Sequence, residues 1–318
     1  MITTVTLNPA IDKTMVIDNF KAGAVNRELS LRVDAAGKGV NVSKVIQKLG
    51  GKSRAIGILA GNTGEFIKSE LDRMKIENDF MVIEGQTRTN TKIVDRLNNL
   101  VTDINENGPL VLEKDLKKFE ESFIKNITED SIAVFSGSVP RNVDKKIYKR
   151  LIDAAKAKGV KTILDADGQL FAEGLKAGPY LVKPNIHELE RFFSKEIKSL
   201  EDIINYGKKI LDYGIEYVVV SRGEKGSVFI TNERIAIVEG IEVKVKSTVG
   251  AGDSLVAAVA LAMDRGYSFE EMIRLAVAVS TASVMTEGTQ AGNIDDINGL
   301  VKRVKFKLIE KGMLEYEN

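Results

Sequence analysis

LIDAAKAKGVKTILDADGQLFAEGLKAGPYLVKPN (Leu151–Asn185) decides the fold class. It reads as a helix running to Gly159, the short apolar strand VKTILDAD, a short helix near QLFAEGL, and a second strand in YLVKPN. Apolar strands without polar alternation, separated by helices, belong to a sheet covered on both faces. The rhythm extends in both directions. Upstream lie the helix DLKKFEESFIKNI (Asp115–Ile127) and the strand SIAVFSGSVP (Ser131–Pro140). Downstream, the helix EDIINYGKKILDYG (Glu201–Gly214) precedes YVVVSRGEKGSVFI (Tyr217–Ile230), two strands about a tight bend. Nearer the start, SRAIGILAG (Ser53–Gly61) and DFMVI (Asp79–Ile83) flank a helix in EFIKSELDRMKI (Glu65–Ile76). NVSKVIQKLG (Asn41–Gly50) is a helix with Val42, Val45, Ile46 and Leu49 on one stripe and a glycine stop.

Other strands are of a different kind. TMVI (Thr14–Ile17), VNRELSLRVD (Val25–Asp34), TRTNTKIVDR (Thr87–Arg96) and NLVTDIN (Asn99–Asn105) include polar residues among the apolar ones, as strands with one wet face do. The last two are joined as a hairpin across Leu97–Leu100. The expectation is one α/β domain spanning 1–318, a three-layer sandwich with a mostly parallel central sheet. A small β-sheet lid, inserted from within about 12–33 and 87–107, stands off it.

Composition narrows the chemistry. Lys and Arg total 46 against 45 Asp and Glu, so neither nucleic acid nor an anionic membrane is an expected partner. The local cluster KKIYKR (Lys145–Arg150) is an ordinary solvated helix face. The absence of cysteine removes thiolate nucleophiles, iron–sulfur centres and cysteine-held zinc. One histidine, His187, excludes a multi-histidine metal site and argues against a Ser-His-Asp triad; it reads as a surface or packing residue. No signal-like start and no membrane-length apolar run are present, so a cytoplasmic location is expected.

Two glycine clusters stand where strands pass into helices. In STVGAGDSLVAAVA, a strand expected to end near Ser247 or Thr248 leads through Gly250, Ala251 and Gly252 into an apolar helix. A helix start offers unpaired amides and a positive dipole end to an anion. Asp253 at that start has two readings: a helix cap, or a carboxylate facing a substrate hydroxyl. In DAAGKGVNVSK (Asp34–Lys44), Lys38 offers a cation to a phosphate and Asn41 an amide to sugar hydroxyls, although the same stretch also reads as a plain glycine-rich connection. Neither the GxxxxGK[ST] nor the GxGxxG spacing is present there. KPNIHELE places Asn185 and Glu188 three apart, neighbours on a first helical turn and oxygen donors of the type hydrated magnesium accepts.

Together, AGKGVNVSKVIQKLG and STVGAGDSLVAAVA resemble the two signatures of the ribokinase-like pfkB family of carbohydrate kinases. VTLNPAID, RTNTK, TDINENG, SGSVP, KPNIHE and SRGEKG follow in the family's order. The resemblance runs nearly end to end and is nearest to the 1-phosphofructokinase subgroup, then tagatose-6-phosphate kinases. It implies ATP and Mg²⁺ as cofactors and a sugar phosphate as substrate. Asp253 then matches the catalytic base, with Gly250, Ala251 and Gly252 as the anion hole. Asp12, Gly37, Lys38, Gly39 and Asn41 match sugar-site positions. Arg88 and Lys38 would hold the substrate's phosphate, with Asn90 close by, Arg27 as a helper and Ser138 near the acceptor. Lys183, Asn185, Ser221, Gly223 and Gly226 match nucleotide-side positions. Asn185 and Glu188 resemble the magnesium-supporting motif, acting through water. The implied reaction is phosphorylation of fructose 1-phosphate at O6, with tagatose 6-phosphate or fructose 6-phosphate at O1 as the alternative. A homodimer through the lid is also implied. A sugar-phosphate sensor without turnover is the competing class, and the retained Asp253 and its glycines speak against it.

Overall fold

The computed structural model describes residues 1–310. The chain opens with β1 (Ile2–Thr6), β2 (Ala10–Ile17) and β3 (Ser30–Ala36). Helix α1 (Lys38–Lys48) leads into β4 (Ser53–Ala60), α2 (Gly61–Arg73) and β5 (Glu77–Ile83). The hairpin of β6 (Arg88–Asp95) and β7 (Leu100–Asn105) precedes α3 (Glu113–Asn126). Then β8 (Ile132–Ser136), α4 (Ile147–Lys156), β9 (Lys161–Asp165), α5 (Gly168–Leu175) and β10 (Leu181–Val182) alternate as the apolar rhythm requires. Helices α6 (Ile186–Phe193) and α7 (Leu200–Leu211) precede β11 (Tyr217–Ser221), β12 (Ser227–Ile230) and β13 (Arg234–Val238). Last come α8 (Ala251–Asp264), α9 (Phe269–Val284), α10 (Ile294–Val301) and β14 (Phe306–Glu310).

The large sheet has the order β14-β13-β12-β11-β10-β9-β8-β1-β4-β5. From β5 to β11 the strands run parallel, and β12 to β14 extend one edge antiparallel. Side chains alternate between two apolar layers. In β8, Ala133 and Phe135 join a core with Phe119, Phe123, Tyr148 and Leu151 from α3 and α4. Ile132 and Val134 face the opposite core, built on α1, α8 and α9. The result is the three-layer α/β/α sandwich expected, with a mostly parallel centre. Helix α8 is buried from Asp253 through Ala262, and its alanines let neighbouring backbones approach closely.

A second sheet has the order β3-β2-β6-β7. Its register sets Asp12 opposite both Asp34 and Asn90, so these three polar residues share a face with Arg32 and Lys92. On the other face, Ile11 and Ala35 pack with Ile67 and Leu71 of α2, while Leu31, Val33 and Ile104 are exposed. Polar alternation thus sorted these strands from the core strands correctly.

Two local expectations do not hold. Val25–Leu29 is not strand: Asn26 Nδ2 donates to the carbonyls of Lys21 and Ala24 and folds the segment into an exposed loop. No strand ends at Ser247 either. The chain leaves the sheet after β13, and the amides of Lys246 and Ser247 bond to Val284 O at the end of α9 instead of to a neighbouring strand. β13 and β14 were not read from the sequence at all.

Phe135 is fully buried and meets Phe123 edge-on at 5.7 Å between centroids. Phe135→Ala is expected to cost about 3–5 kcal/mol, measured as a fall in unfolding free energy by urea titration.

Candidate active site

Ligands bind a sheet of this kind beyond the carboxyl ends of its parallel strands, where helix N-termini also gather. β1 runs out toward Asn8, β8 toward Ser138, β9 into Asp165, β10 into Lys183, and β11 ends at Ser221. Helices α1 and α8 begin among them. The starts of both helices are pressed in closely. A Cβ on Gly39 would overlap Thr6 Oγ1, and one on Gly252 would sit 3.3 Å from Lys183 Nζ.

Helix α8 is capped by Gly250, whose φ of 84° lies in the left-handed region that favours glycine. Asp253 is therefore not the cap. Its carboxylate, buried in the first turn, accepts a hydrogen bond from Asn41 Nδ2 on α1 at 2.8 Å. Burial pushes its pKa up to about 6; Lys38, the Asn41 bond and Lys183 restrain the rise, and Asp165 adds to it.

Asp165, the last residue of β9, ties the cluster together, and sequence reasoning missed it. Its Oδ1 lies 3.2 Å from Lys38 Nζ and 3.3 Å from Lys183 Nζ. Burial alone would raise its pKa, but the two ammonium groups outweigh that and hold it below the ordinary carboxylate value. For Lys38 the balance mirrors this: burial pulls the pKa down, and Asp165, Asp253 and Glu188 lift it above the usual lysine value. The available signal was an acid closing an apolar strand in VKTILDAD.

Of the sugar-site residues expected from sequence, Asp12, Arg88 and Asn90 lie on the polar face of the small sheet, while Gly37, Lys38, Gly39 and Asn41 form the start of α1. Asn90 Nδ2 donates to Asp12 Oδ1 at 2.9 Å. Arg88 Nε donates to Asn8 O at 3.2 Å and its Nη1 to Glu106 O at 3.4 Å. Asn8 Nδ2 reaches Ser138 Oγ at 3.4 Å, which brings Ser138 into the group. Burial raises the Asp12 pKa, against the Asn90 bond and the charges of Lys92 and Arg88, and burial lowers that of Arg88. Asn41 Oδ1 and Asn90 Oδ1 are buried with no hydrogen-bond partner within the described chain, acceptors suited to sugar hydroxyls. Asn8 and Glu106 were not foreseen. Arg27 is not brought in: it lies in the exposed loop joining the far ends of β2 and β3, away from Asp12.

On the other side, Asn185 and Ser221 form a parallel bridge, and Ser221 N donates to Pro184 O at 3.1 Å. Gly223 and Gly226 close the tight turn that follows, through Gly226 N to Gly223 O at 3.1 Å. The Asn185–Glu188 spacing has a structural use. Asn185 Oδ1 accepts from Glu188 N and Glu188 Oε2 from Asn185 N, both at 2.9 Å, a reciprocal capping box for α6. Among the described residues no group of three or more His, Asp or Glu side chains forms a metal cage. Asp165 Oδ2, buried without a partner, and the nearby Glu188 nonetheless suit a hydrated magnesium ion that takes its remaining oxygens from water and phosphate. His187 is exposed, 3.2 Å from Glu190, as a surface residue.

A model of the pfkB family of carbohydrate kinases matches residues 5–296. The chain belongs to this family. It is 35% identical over 286 residues to the 1-phosphofructokinase of Borreliella burgdorferi, covering 90% of this chain and 92% of that one. It is 32% identical to a tagatose-6-phosphate kinase of Staphylococcus epidermidis, over 96% of this chain and 99% of the relative. The crystal structure of phosphofructokinase-2 from Escherichia coli in complex with potassium superposes with a TM-score of 0.90 at 30% identity, covering 95% and 98% of the two chains. The pfkB chain accordingly has the ATP-dependent sugar-phosphate kinase activity expected from its motifs.

In this pfkB kinase, Asp165→Asn leaves Lys38 and Lys183 without their shared counter-charge. Breaking a buried pair of this sort is expected to cost about 3–5 kcal/mol in a denaturant titration. Little or no loss would mean that the cluster is not held together by Asp165.

Proposed function

We propose that this chain transfers the γ-phosphoryl group of ATP to the 6-hydroxyl of fructose 1-phosphate, giving fructose 1,6-bisphosphate. One observation carries the reading: a buried carboxylate, Asp253, in the first turn of α8, beside the lysines that flank Asp165. The acceptor oxygen attacks the γ-phosphorus as the bond to the β-phosphate oxygen breaks, and Asp253 takes the hydroxyl proton. Amides of Gly250, Ala251 and Gly252 and the Lys183 ammonium group receive the charge that spreads over the transferring group. Glu188 and Asp165 would hold a hydrated magnesium ion, whose charge would neutralise that of the phosphates. Asp12, Gly37, Gly39, Asn41, Asn90 and Ser138 orient the sugar, and Arg88 with Lys38 meets its existing phosphate, because a dianion calls for charged donors. Lys183, Asn185, Ser221, Gly223 and Gly226 take the nucleotide side.

The 1-phosphofructokinase relative and the TDINENG segment favour fructose 1-phosphate. The second reading, phosphorylation of tagatose 6-phosphate or fructose 6-phosphate at O1, is favoured by the tagatose-6-phosphate kinase relative. An ADP-coupled assay across the three sugar phosphates separates them. The highest kcat/KM is expected with fructose 1-phosphate, and a higher value with either alternative reverses the assignment.

The base role has its own signature. A general base works ionised, so kcat/KM is expected to fall as pH drops below about 6 and to level off above it. Asp253→Asn is expected to lower kcat by about 10²–10⁴-fold. A raised carboxyl pKa adds stability below its ordinary value, and that contribution is lost as pH rises through about 6. Asp253→Asn therefore melts no lower than the parent at pH 8. Near-parental turnover in the variant would sink the assignment.

The exposed apolar face of the small sheet, with Leu31, Val33 and Ile104, looks away from the polar sugar-side face and fits a second copy of this chain. Sedimentation is expected to give a dimer; a monomer mass at every concentration contradicts it.

A further inference from the structure

We infer that Arg32 is a positioning residue that fastens the small sheet to the loop beside the α8 amides, through Glu287 and Gly288. The inference rests on the kinase reading above and adds a residue to it. Arg32 sits on β3, two residues from Asp34, and so lies on the polar face with Asp12 and Asn90. Its Nε donates to Asp34 Oδ2 at 2.7 Å, a neighbour on its own strand that sets the plane of the guanidinium. The other nitrogens cross to the main body. Nη1 lies 3.5 Å from Glu287 Oε2, and Nη2 rests against Gly288 so closely that a Cβ there would overlap it. Lys44, which donates to Ala35 O at 2.8 Å, is the neighbouring cation on the α1 side.

What Arg32 reaches is the reason it matters. Gly288 is followed by the buried Thr289, whose Cα lies 3.3 Å from the place a Cβ on Gly250 would occupy. The loop is closed on itself by Thr286 Oγ1, which contacts Ser283 O at 2.7 Å and Gln290 O at 2.8 Å. A continuous set of contacts therefore runs from β3 through Arg32, the 287–289 loop and Thr289 to the glycine cap of α8. Other ties of the sheet lie elsewhere, among them Ile11 and Ala35 on α2, Lys44 of α1 on Ala35 O, and Arg88 on Asn8. Arg32 holds down the side beside the transferring phosphoryl group. Loosening that side admits water. A water oxygen then bonds to the γ-phosphorus while the bond to the β-phosphate oxygen breaks, releasing ADP, inorganic phosphate and a proton with no sugar product.

The test is the ratio of ADP released to sugar bisphosphate formed, measured for the full chain with its melting temperature, kcat and both KM values. Glu287 is largely exposed, and exposed ion pairs add little to folding, so Glu287→Gln is expected to melt with the parent. Glu287→Gln and Arg32→Gln are each expected to raise the ADP-to-product ratio and the sugar-phosphate KM by about fivefold, with the ATP KM little changed. The exchange Arg32→Glu with Glu287→Arg is expected to recover part of that loss. Unchanged ratios in Glu287→Gln and Arg32→Gln overturn the inference, as does an exchange no better than the sum of its single changes. If Arg32→Gln melts early, Glu287→Gln alone decides. A parent chain that releases no ADP with any sugar phosphate overturns the kinase reading, and this inference with it.

Discussion

A carboxylate stripped of nearly all its hydration stays charged only where cations reach it, and Asp165 meets that requirement with Lys38 from α1 and Lys183 from the end of β10. Three separate parts of the chain are thereby drawn to one point at the carboxyl edge of the sheet. Lys183 then lies against Gly252, and Lys38 lies within the field of Asp253. The charges alternate in sign, so each lysine lowers the cost of a neighbouring acid. Without Asp165, two ammonium groups would face each other beneath a helix start that already carries a positive end.

The small sheet leads straight into this cluster, since β3 ends at Ala36 and α1 begins at Lys38. Its strands place polar and charged groups on one side and aliphatic groups on the other, and the β2 register aligns Asp12 with Asn90 and Asp34. Part of its apolar face, at Leu31, Val33 and Ile104, stays exposed. The sheet depends on α2 under Ile11 and Ala35, on Asn8 and Glu106 around Arg88, and on the loop beneath Arg32. The sheet is therefore anchored at its margins and polar on one face.

Much of this was legible in the residue pattern, and the failures have physical causes. Unbroken apolar strands and periodic helices separated the layers, and polar alternation set the second sheet apart. Where pattern sees one residue at a time, it loses meaning that depends on distance. Asp165 looks like loop punctuation until Lys38, 127 residues away, is beside it. Arg27 lies near a recognisable motif in the chain but at the wrong end of the strands. Asn185 and Glu188 have a spacing that serves a helix cap as well as a metal, and spacing cannot separate the two. The stretch before Gly250 alternates like a strand, yet its amides are taken by the end of α9.

Helix α8 carries a further consequence. Its residues from Asp253 to Ala262 are all buried and half of them are alanine or serine, so its position is set by how tightly its neighbours fill space. The acid at its start is held by the helix itself and by one bond from Asn41 of α1. Any repacking among Ala257, Ala258, Ala260 or Ala262 moves the helix and the carboxylate together. Reactivity and interior volume are one variable in this part of the molecule, and a gain in rigidity that leaves the chemistry untouched has to be sought in the outer layer of α3 to α7.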